Sequence, residues 1–202
     1  IALFGIDSTD STSGRSDSII VATLDSIHNK LKLTSFMRDS YVNISSYGYD
    51  KLNHAYAYGG ANLAINTLNT NFGLNITDFV AVDFASLPKI IDSFGGIDLT
   101  IREDEIQYIN QYISNINSID GTNSPLITTP GVHHVDGAQA LAYSRIRYTS
   151  GGDFERTERQ RAVLTALFNK ALNVPATEYL DIISNLVQYV TTNLDTNEIL
   201  KL

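Results

Sequence analysis

The chain has 202 residues, 43% hydrophobic and 18% charged, with a formal net charge of -8. This is globular composition, long enough for one domain, or one with an added subdomain, around a substantial core. The acidic balance counts against nucleic acid, whose binding needs a basic footprint, and the absence of cysteine excludes disulfides and thiolate metal sites.

Read in chain order, Ile1–Asp7 is a short apolar run ending in an acid, predicted as a buried strand. A Ser/Thr/Gly-rich loop follows, then the β-branched Ser18–Leu24, a second central strand. Leu31–Phe36 alternates as a third strand. These strands place Asp7, Arg15, Asp17 and Arg38 near strand ends. His54–Leu68 has helical spacing through Ala57, Ala61, Ala64, Ile65 and Leu68. Phe79–Phe84 is another strand, and Ser86–Phe94 a short helix with Pro88 in its first turn, stopped by Gly95 and Gly96. Ile97–Ile101 alternates as a strand, and residues 102–130, rich in Asn, Ser and Ile, read as an irregular surface excursion. Asp136 and Gln139 form a capping-box pattern that opens the next helix. Asp153 opens a longer helix through Ala171, and Tyr179–Val190 has helical periodicity after Pro175. Strands mixed with helices predict an α/β or α+β layered fold.

No run approaches the ~18 apolar residues of a membrane span. Ile1 falls inside what reads as a strand, so an N-terminal segment carrying an anchor is expected outside these residues. His28, His54, His133 and His134 form no HExxH helix, and the last two are neighbours that point apart, so a histidine zinc site is not expected. Phosphate loops of the GxxxxGK[ST] and GxGxxG kinds are absent, as is a GxSxG elbow.

Five of the eight arginines, Arg145, Arg147, Arg156, Arg159 and Arg161, lie in one short stretch, "YSRIRYTSGGDFERTERQR". Arg156, Arg159 and Gln160 share a helix face by their spacing, with Glu155 and Glu158 expected elsewhere around it. Guanidinium groups match phosphate oxygens two at a time, so one reading is a small anionic ligand. The other is a solvated face paired with Glu155 and Glu158. A second constellation, "GIDSTDSTSGRSDS", offers Asp7, Asp10 and Asp17 around Arg15. Two carboxylates with waters and a phosphate make a typical Mg²⁺ site, although strand-end acids are ordinary too. Arg38, Asp39, Lys51 and Asn53 flank nearby elements.

Taken together, "GIDSTD…GRSDSIIVATLD", "LTSFMRDSYV", "DKLNHAYAYGG", "FVAVDFASLPKIIDSFGGIDLTI" and "HHVDGAQALAYSRIRYTSGGDFERTERQR" resemble the LytR-CpsA-Psr family, in order and over nearly the whole chain. The resemblance implies one catalytic domain over residues 1–202, with a mixed sheet sandwiched between helices and a hydrophobic lipid pocket. It implies a Mg²⁺-dependent transferase, anchored by an N-terminal helix on the outer face of the cell membrane. Its substrate would be a polyprenyl-pyrophosphate-linked glycopolymer: teichoic acid, capsule or a related polymer. The polymer and one phosphate would pass to a peptidoglycan hydroxyl. Asp7 and Asp17 match the family's magnesium-associated acids. Arg15, Arg38, Arg145 and Arg147 match its pyrophosphate-binding arginines, joined by Lys51, Arg156, Arg159 and Gln160. Asp17, Arg38, Arg145 and Arg147 are the residues expected to carry catalysis. Met37 departs from the proline often found before Arg-Asp. Asp17 is a plausible general base, although a metal ligand is often a poor one, while Asp39 or Asp153 would instead orient arginines; the base stays open. A non-catalytic polyprenyl-phosphate-binding module is the alternative, and a transcription regulator a weaker one that the net charge opposes.

Overall fold

The structure, a computed structural model, describes residues 1–7, 14–25, 27–28, 30–149, 152–175, 177–195 and 198, with backbone alone at 179, 180 and 183. The loop read after Asp7, with Asp10, lies largely outside the described residues. Two compact units share the chain, Ile1–Phe84 with Tyr189–Leu202, and Ala85–Gln188.

The first unit is built on a mixed five-stranded sheet. Its strands are β1 (Ala2–Asp7), β2 (Arg15–Asp25), β3 (Lys30–Ser35), β6 (Phe79–Asp83) and β9 (Thr191–Thr192), in the order β3-β2-β1-β6-β9. β1 runs antiparallel to β2 and parallel to β6. Alternation along β1 buries Ala2, Phe4 and Ile6 against Ala61, Ala64, Ile65 and Leu68 of helix α1 (His54–Phe72). A hairpin of β4 (Tyr41–Ile44) and β5 (Gly48–Lys51) adds Val42 and Ile44 to that core. The hairpin lay unread in "SYVNISSYGYDK", where four-residue strands leave little alternation to detect.

α1 departs from the expected helix in two ways. It runs on to Phe72 and ends at Gly73, whose φ of 65° suits a left-handed cap. It is also interrupted at Gly59 and Gly60, where Gly60 has φ 64° and ψ -160°. The break takes the first turn out of phase with the rest, so Ala57 is exposed, not buried as its spacing predicted.

The second unit holds α2 (Ser86–Ser93), β7 (Ile97–Ile101), α3 (Glu103–Asp120), β8 (Gly131–Val135), α4 (Gly137–Arg145), α5 (Gly152–Leu172) and α6 (Tyr179–Leu186). α6 gives way to a 3-10 turn at Val187–Tyr189, short of the expected Val190. β7 and β8 form an antiparallel pair in which Asp98 faces His134. α4 is buried along almost its whole length and packs against α2, α3 and α5. Its first residue must be glycine, since a Cβ at Gly137 would lie 2.2 Å from the Pro88 carbonyl oxygen.

α3 corrects the expectation of an irregular excursion over 102–130. Ile109, Ile113 and Ile116 recur at helical spacing and are buried, while acids fill the first turn. Asn and Ser, poor helix formers, masked that pattern. They have a second use: the Asn110 side-chain amide bonds both ways to the Ile127 backbone, at 2.8 and 2.9 Å. Asn117 does the same at Ser124, at 2.9 and 3.0 Å. The extended segment after α3 is thereby fastened to the helix, its backbone groups satisfied without a sheet. The fold class is α/β with a mixed sheet and packed helices, as expected.

Candidate functional site

The charged residues singled out above fall into two groups, one in each unit. In the first, Asp7 ends β1 directly opposite Arg15, the first residue of β2. The register then slips: Ile6 faces Ser16 and Gly5 faces Ser18, leaving Asp17 as the extra residue of a β-bulge. A bulge re-aims a side chain out of the regular alternation. Asp17 is only 8% exposed, and its Oδ2 accepts a hydrogen bond from Arg38 Nη1 at 2.6 Å. Gly5 permits the close approach, because a Cβ there would sit 2.9 Å from the Ser18 Cβ.

From Arg38 the charges alternate outward. Arg38 Nε lies 3.5 Å from Asp39 Oδ2, and Lys51 Nζ donates to Asp39 Oδ1 at 2.8 Å. The backbone ties the same residues together, since Asn53 N–H donates to the Arg38 carbonyl at 3.0 Å. So Asp17, Arg38, Asp39 and Lys51, read separately in the sequence, form one connected chain of ions.

Asp7 and Asp17 offer two carboxylates at the same end of neighbouring strands. Among the described residues, Ser16 Oγ is a buried oxygen with no hydrogen-bond partner, next to Asp17 in sequence. An all-oxygen set with few protein ligands fits Mg²⁺, which keeps waters and shares substrate oxygens. Among the described residues no group of three or more His, Cys, Asp or Glu side chains is placed to hold a metal ion.

The second group surrounds the end of α4. The capping box predicted at Asp136 is present, with Gln139 N–H donating to Asp136 Oδ1 at 2.8 Å and Asp136 N–H to Gln139 Oε1 at 2.9 Å. It starts the helix that delivers Arg145 at its last position. Arg145 is half-buried, Ile146 fully buried and Arg147 exposed. Arg156 and Arg159, one turn apart on α5, are 3% and 2% exposed, and Gln160 is half-buried.

Arg159 is not part of a solvated face. Its Nε donates to Glu105 Oε1 at 2.7 Å, and its Nη2 to Glu155 Oε2 at 2.8 Å and Thr149 Oγ1 at 2.7 Å. Its Nη1 donates to the Ile146 carbonyl at 3.2 Å. Arg159 thus grips the peptide between Arg145 and Arg147, and the loop beyond it. Glu155 was expected to point away from this face but does not. Besides Arg159 it accepts from Arg102 Nη2 at 3.0 Å and from the Thr149 hydroxyl. Those donors, Thr149 foremost, hold the Glu155 carboxyl below its ordinary range. Arg156 Nη2 lies 3.4 Å from Asp153 Oδ1.

Glu105 was missed in the sequence. It is 1% exposed, and its other oxygen, Oε2, accepts the Arg102 N–H at 2.8 Å to cap α3. The signal was present as "REDE", an N-terminal acid three residues into a helix. It was lost with the helix itself.

The whole chain, residues 1–202, matches the LytR_cpsA_psr family. The chain belongs to that family. The LytR_cpsA_psr relatives include the polyisoprenyl-teichoic acid–peptidoglycan teichoic acid transferase TagU of Enterococcus faecalis, 34% identical over 100% of this chain and 63% of its own length. The chain therefore spans less than two thirds of that curated relative. Among solved LytR_cpsA_psr structures, Bacillus subtilis TagT superimposes with a TM-score of 0.77 at 28% identity, covering 99% of this chain and 70% of TagT. A second TagT structure, with octaprenyl pyrophosphate lipid bound, gives a TM-score of 0.68 at 28% identity over 92% of this chain and 71% of that one.

Proposed function

We propose that this chain is the catalytic part of a phosphotransferase that moves a glycopolymer, with one phosphate, from a polyprenyl-pyrophosphate carrier to a peptidoglycan hydroxyl. The observation that carries the proposal is the Asp17–Arg38 pair, a carboxylate re-aimed by a bulge onto a half-buried guanidinium. Family membership, the TagU relative and the octaprenyl pyrophosphate in a structural relative support the same chemistry.

In the proposed reaction an acceptor hydroxyl oxygen attacks the sugar-bearing phosphorus. The P–O bond to the bridging oxygen breaks, and the polyprenyl monophosphate leaves. The hydroxyl proton passes to a carboxylate, for which Asp17 is the candidate of the first unit, while Asp39 orients Arg38 and Lys51. Arg38 neutralises charge that builds on phosphate oxygens, with Arg15 and Lys51 in support. Arg145 and Arg147 bind the diphosphate, while Arg159 acts through them, as a positioning residue that fixes their backbone. Asp7 and Asp17 would hold Mg²⁺, which when bound would supply further neutralisation of the charge on the leaving monophosphate.

This reading requires an apolar pocket for the prenyl chain and a position outside the membrane, where peptidoglycan is. A non-catalytic polyprenyl-phosphate-binding module is the competing reading. Incubation with a polyprenyl-pyrophosphate-linked glycan, peptidoglycan and Mg²⁺ separates the two. Release of polyprenyl monophosphate with polymer gained by peptidoglycan is expected. Tight lipid binding without turnover refutes the transferase.

A further inference from the structure

The β4–β5 hairpin carries aromatic surface that the proposed chemistry does not use. Directly paired residues of an antiparallel ribbon share a face, and here Tyr41 faces Lys51 while Asn43 faces Tyr49. Val42 and Ile44 point into the core. The outward face is therefore Tyr41, Asn43, Tyr49 and Lys51. Tyr41 and Tyr49 are 73% and 66% exposed and stack on each other, with ring centroids 5.5 Å apart. Single exposed aromatics are ordinary, but a stacked pair on a ribbon of four-residue strands is a patch that needs a use.

The patch is also held rigid. Asn43 N–H donates to Asn71 Oδ1 at 3.1 Å, and Asn71 Nδ2 returns a bond to the Asn43 carbonyl at 2.9 Å. On the side toward α1, Asp50 Oδ2 accepts from the Tyr58 hydroxyl at 2.6 Å and meets His54 Nδ1 at 2.8 Å. Tyr47 stacks on Tyr58 with centroids 4.6 Å apart and an interplanar angle of 14°. A surface fixed before its ligand arrives avoids the ordering cost of binding.

Resting on the transfer reading above, we infer that the outward face of this hairpin is a docking platform for the glycan strand of the peptidoglycan acceptor. The C–H face of a pyranose packs on the electron-rich face of an aromatic ring. The amide of Asn43 and the outer ring faces of Tyr41 and Tyr49 offer that mixture of polar and apolar contact. Spacing agrees, because successive outward residues on a strand lie about 6–7 Å apart, on the scale of one sugar. Placement agrees as well. Lys51 on this face pairs with Asp39, the neighbour of Arg38, so a strand along the ribbon leads to the proposed phosphate site. Charge selects the source of the glycan. The chain is acidic overall, and the only cation on this face, Lys51, is paired, so a polyanionic phosphate polymer or an anionic membrane gains little here.

The test is co-sedimentation of the 202-residue chain with insoluble peptidoglycan stripped of attached polymer. The Tyr41→Ala/Tyr49→Ala double variant is expected to bind at least about tenfold more weakly, and Tyr41→Phe/Tyr49→Phe within about threefold of wild type, since the rings remain. Thermal midpoints should be unchanged, because both rings are exposed. Parallel arms use polyglycerol phosphate and vesicles of phosphatidylglycerol and phosphatidylethanolamine. Equal peptidoglycan binding by wild type and the alanine variant overturns the platform. So does a loss confined to polyglycerol phosphate or to vesicles. Polyprenyl-pyrophosphate binding, measured separately, should be the same in all three proteins. Its absence in wild type defeats the transfer reading, while the peptidoglycan arm still decides the platform.

Discussion

Arg159 and Glu105 form an ion pair at 2.7 Å in which the side chains are 3% and 1% exposed. One comes from α5 and the other from the first turn of α3. The same guanidinium holds the Ile146 carbonyl, so the pair fixes the peptide that carries Arg145 and Arg147. Stranding a buried charge costs about 3–5 kcal/mol, and losing Glu105 leaves Arg159 with Glu155 as its remaining carboxylate, so the cost falls toward the lower end of that range. Glu105→Ala should therefore lower the urea midpoint sharply, while Glu158→Ala, on the exposed side of α5, should leave it unchanged. Comparable midpoints for the two variants would show that the pair contributes nothing to the fold.

Arg145 and Arg147 present the opposite expectation. Lysine keeps their charge but loses the planar two-point fork. Charge-assisted hydrogen bonds contribute about 1.5–3 kcal/mol each, so Arg145→Lys or Arg147→Lys should slow transfer roughly 10- to 150-fold. Thermal midpoints should stay at the wild-type value. Turnover near wild type in both variants returns the cluster to a surface role.

His134 makes stability depend on pH. Its Nδ1 and Nε2 each lie 2.7 Å from an acceptor, Asp98 Oδ1 and the Gly95 carbonyl. Only the imidazolium can donate to both. Asp98 first, and then the Gly95 carbonyl, raise its pKa above 6.5, opposed by partial desolvation and, more weakly, by Lys170. A raised pKa in the folded state gives stability that is fully present below the unfolded value of 6.5 and is lost as pH climbs through the folded value. The gain is small, because the ring is 58% exposed. The thermal-midpoint advantage of wild type over His134→Gln should be largest near about pH 5.5 and shrink toward about pH 8. An advantage that grows with pH would have the wrong sign.

Tight metal binding should require both strand-end acids and the substrate. Calorimetry with Mg²⁺ should give weak binding alone and tighter binding with a polyprenyl pyrophosphate present, because the ion shares phosphate oxygens. Asp7→Ala should remove the tighter phase. An unchanged isotherm in that variant argues against the Asp7–Asp17 assignment.

Much of this molecule is legible in its sequence. Local signals specified β1, β2, β6, β7 and the start of α4, because alternation and the Asp136–Gln139 capping box act over a few residues. The ordered motifs identified the family, and spacing put Arg156, Arg159 and Gln160 on one helix. What sequence could not supply is long-range pairing. Nothing local marks Glu105 as the partner of Arg159, 54 residues away, or Asp17 as the partner of Arg38, 21 residues away. A bulge that re-aims Asp17 depends on the register between two strands, not on either strand alone. α3 was missed because poor helix formers fill its exposed face, and its stability comes from burying Ile109, Ile113 and Ile116. Sequence determined which charges the chain carries; tertiary packing decided which of them are held by one another and which face solvent.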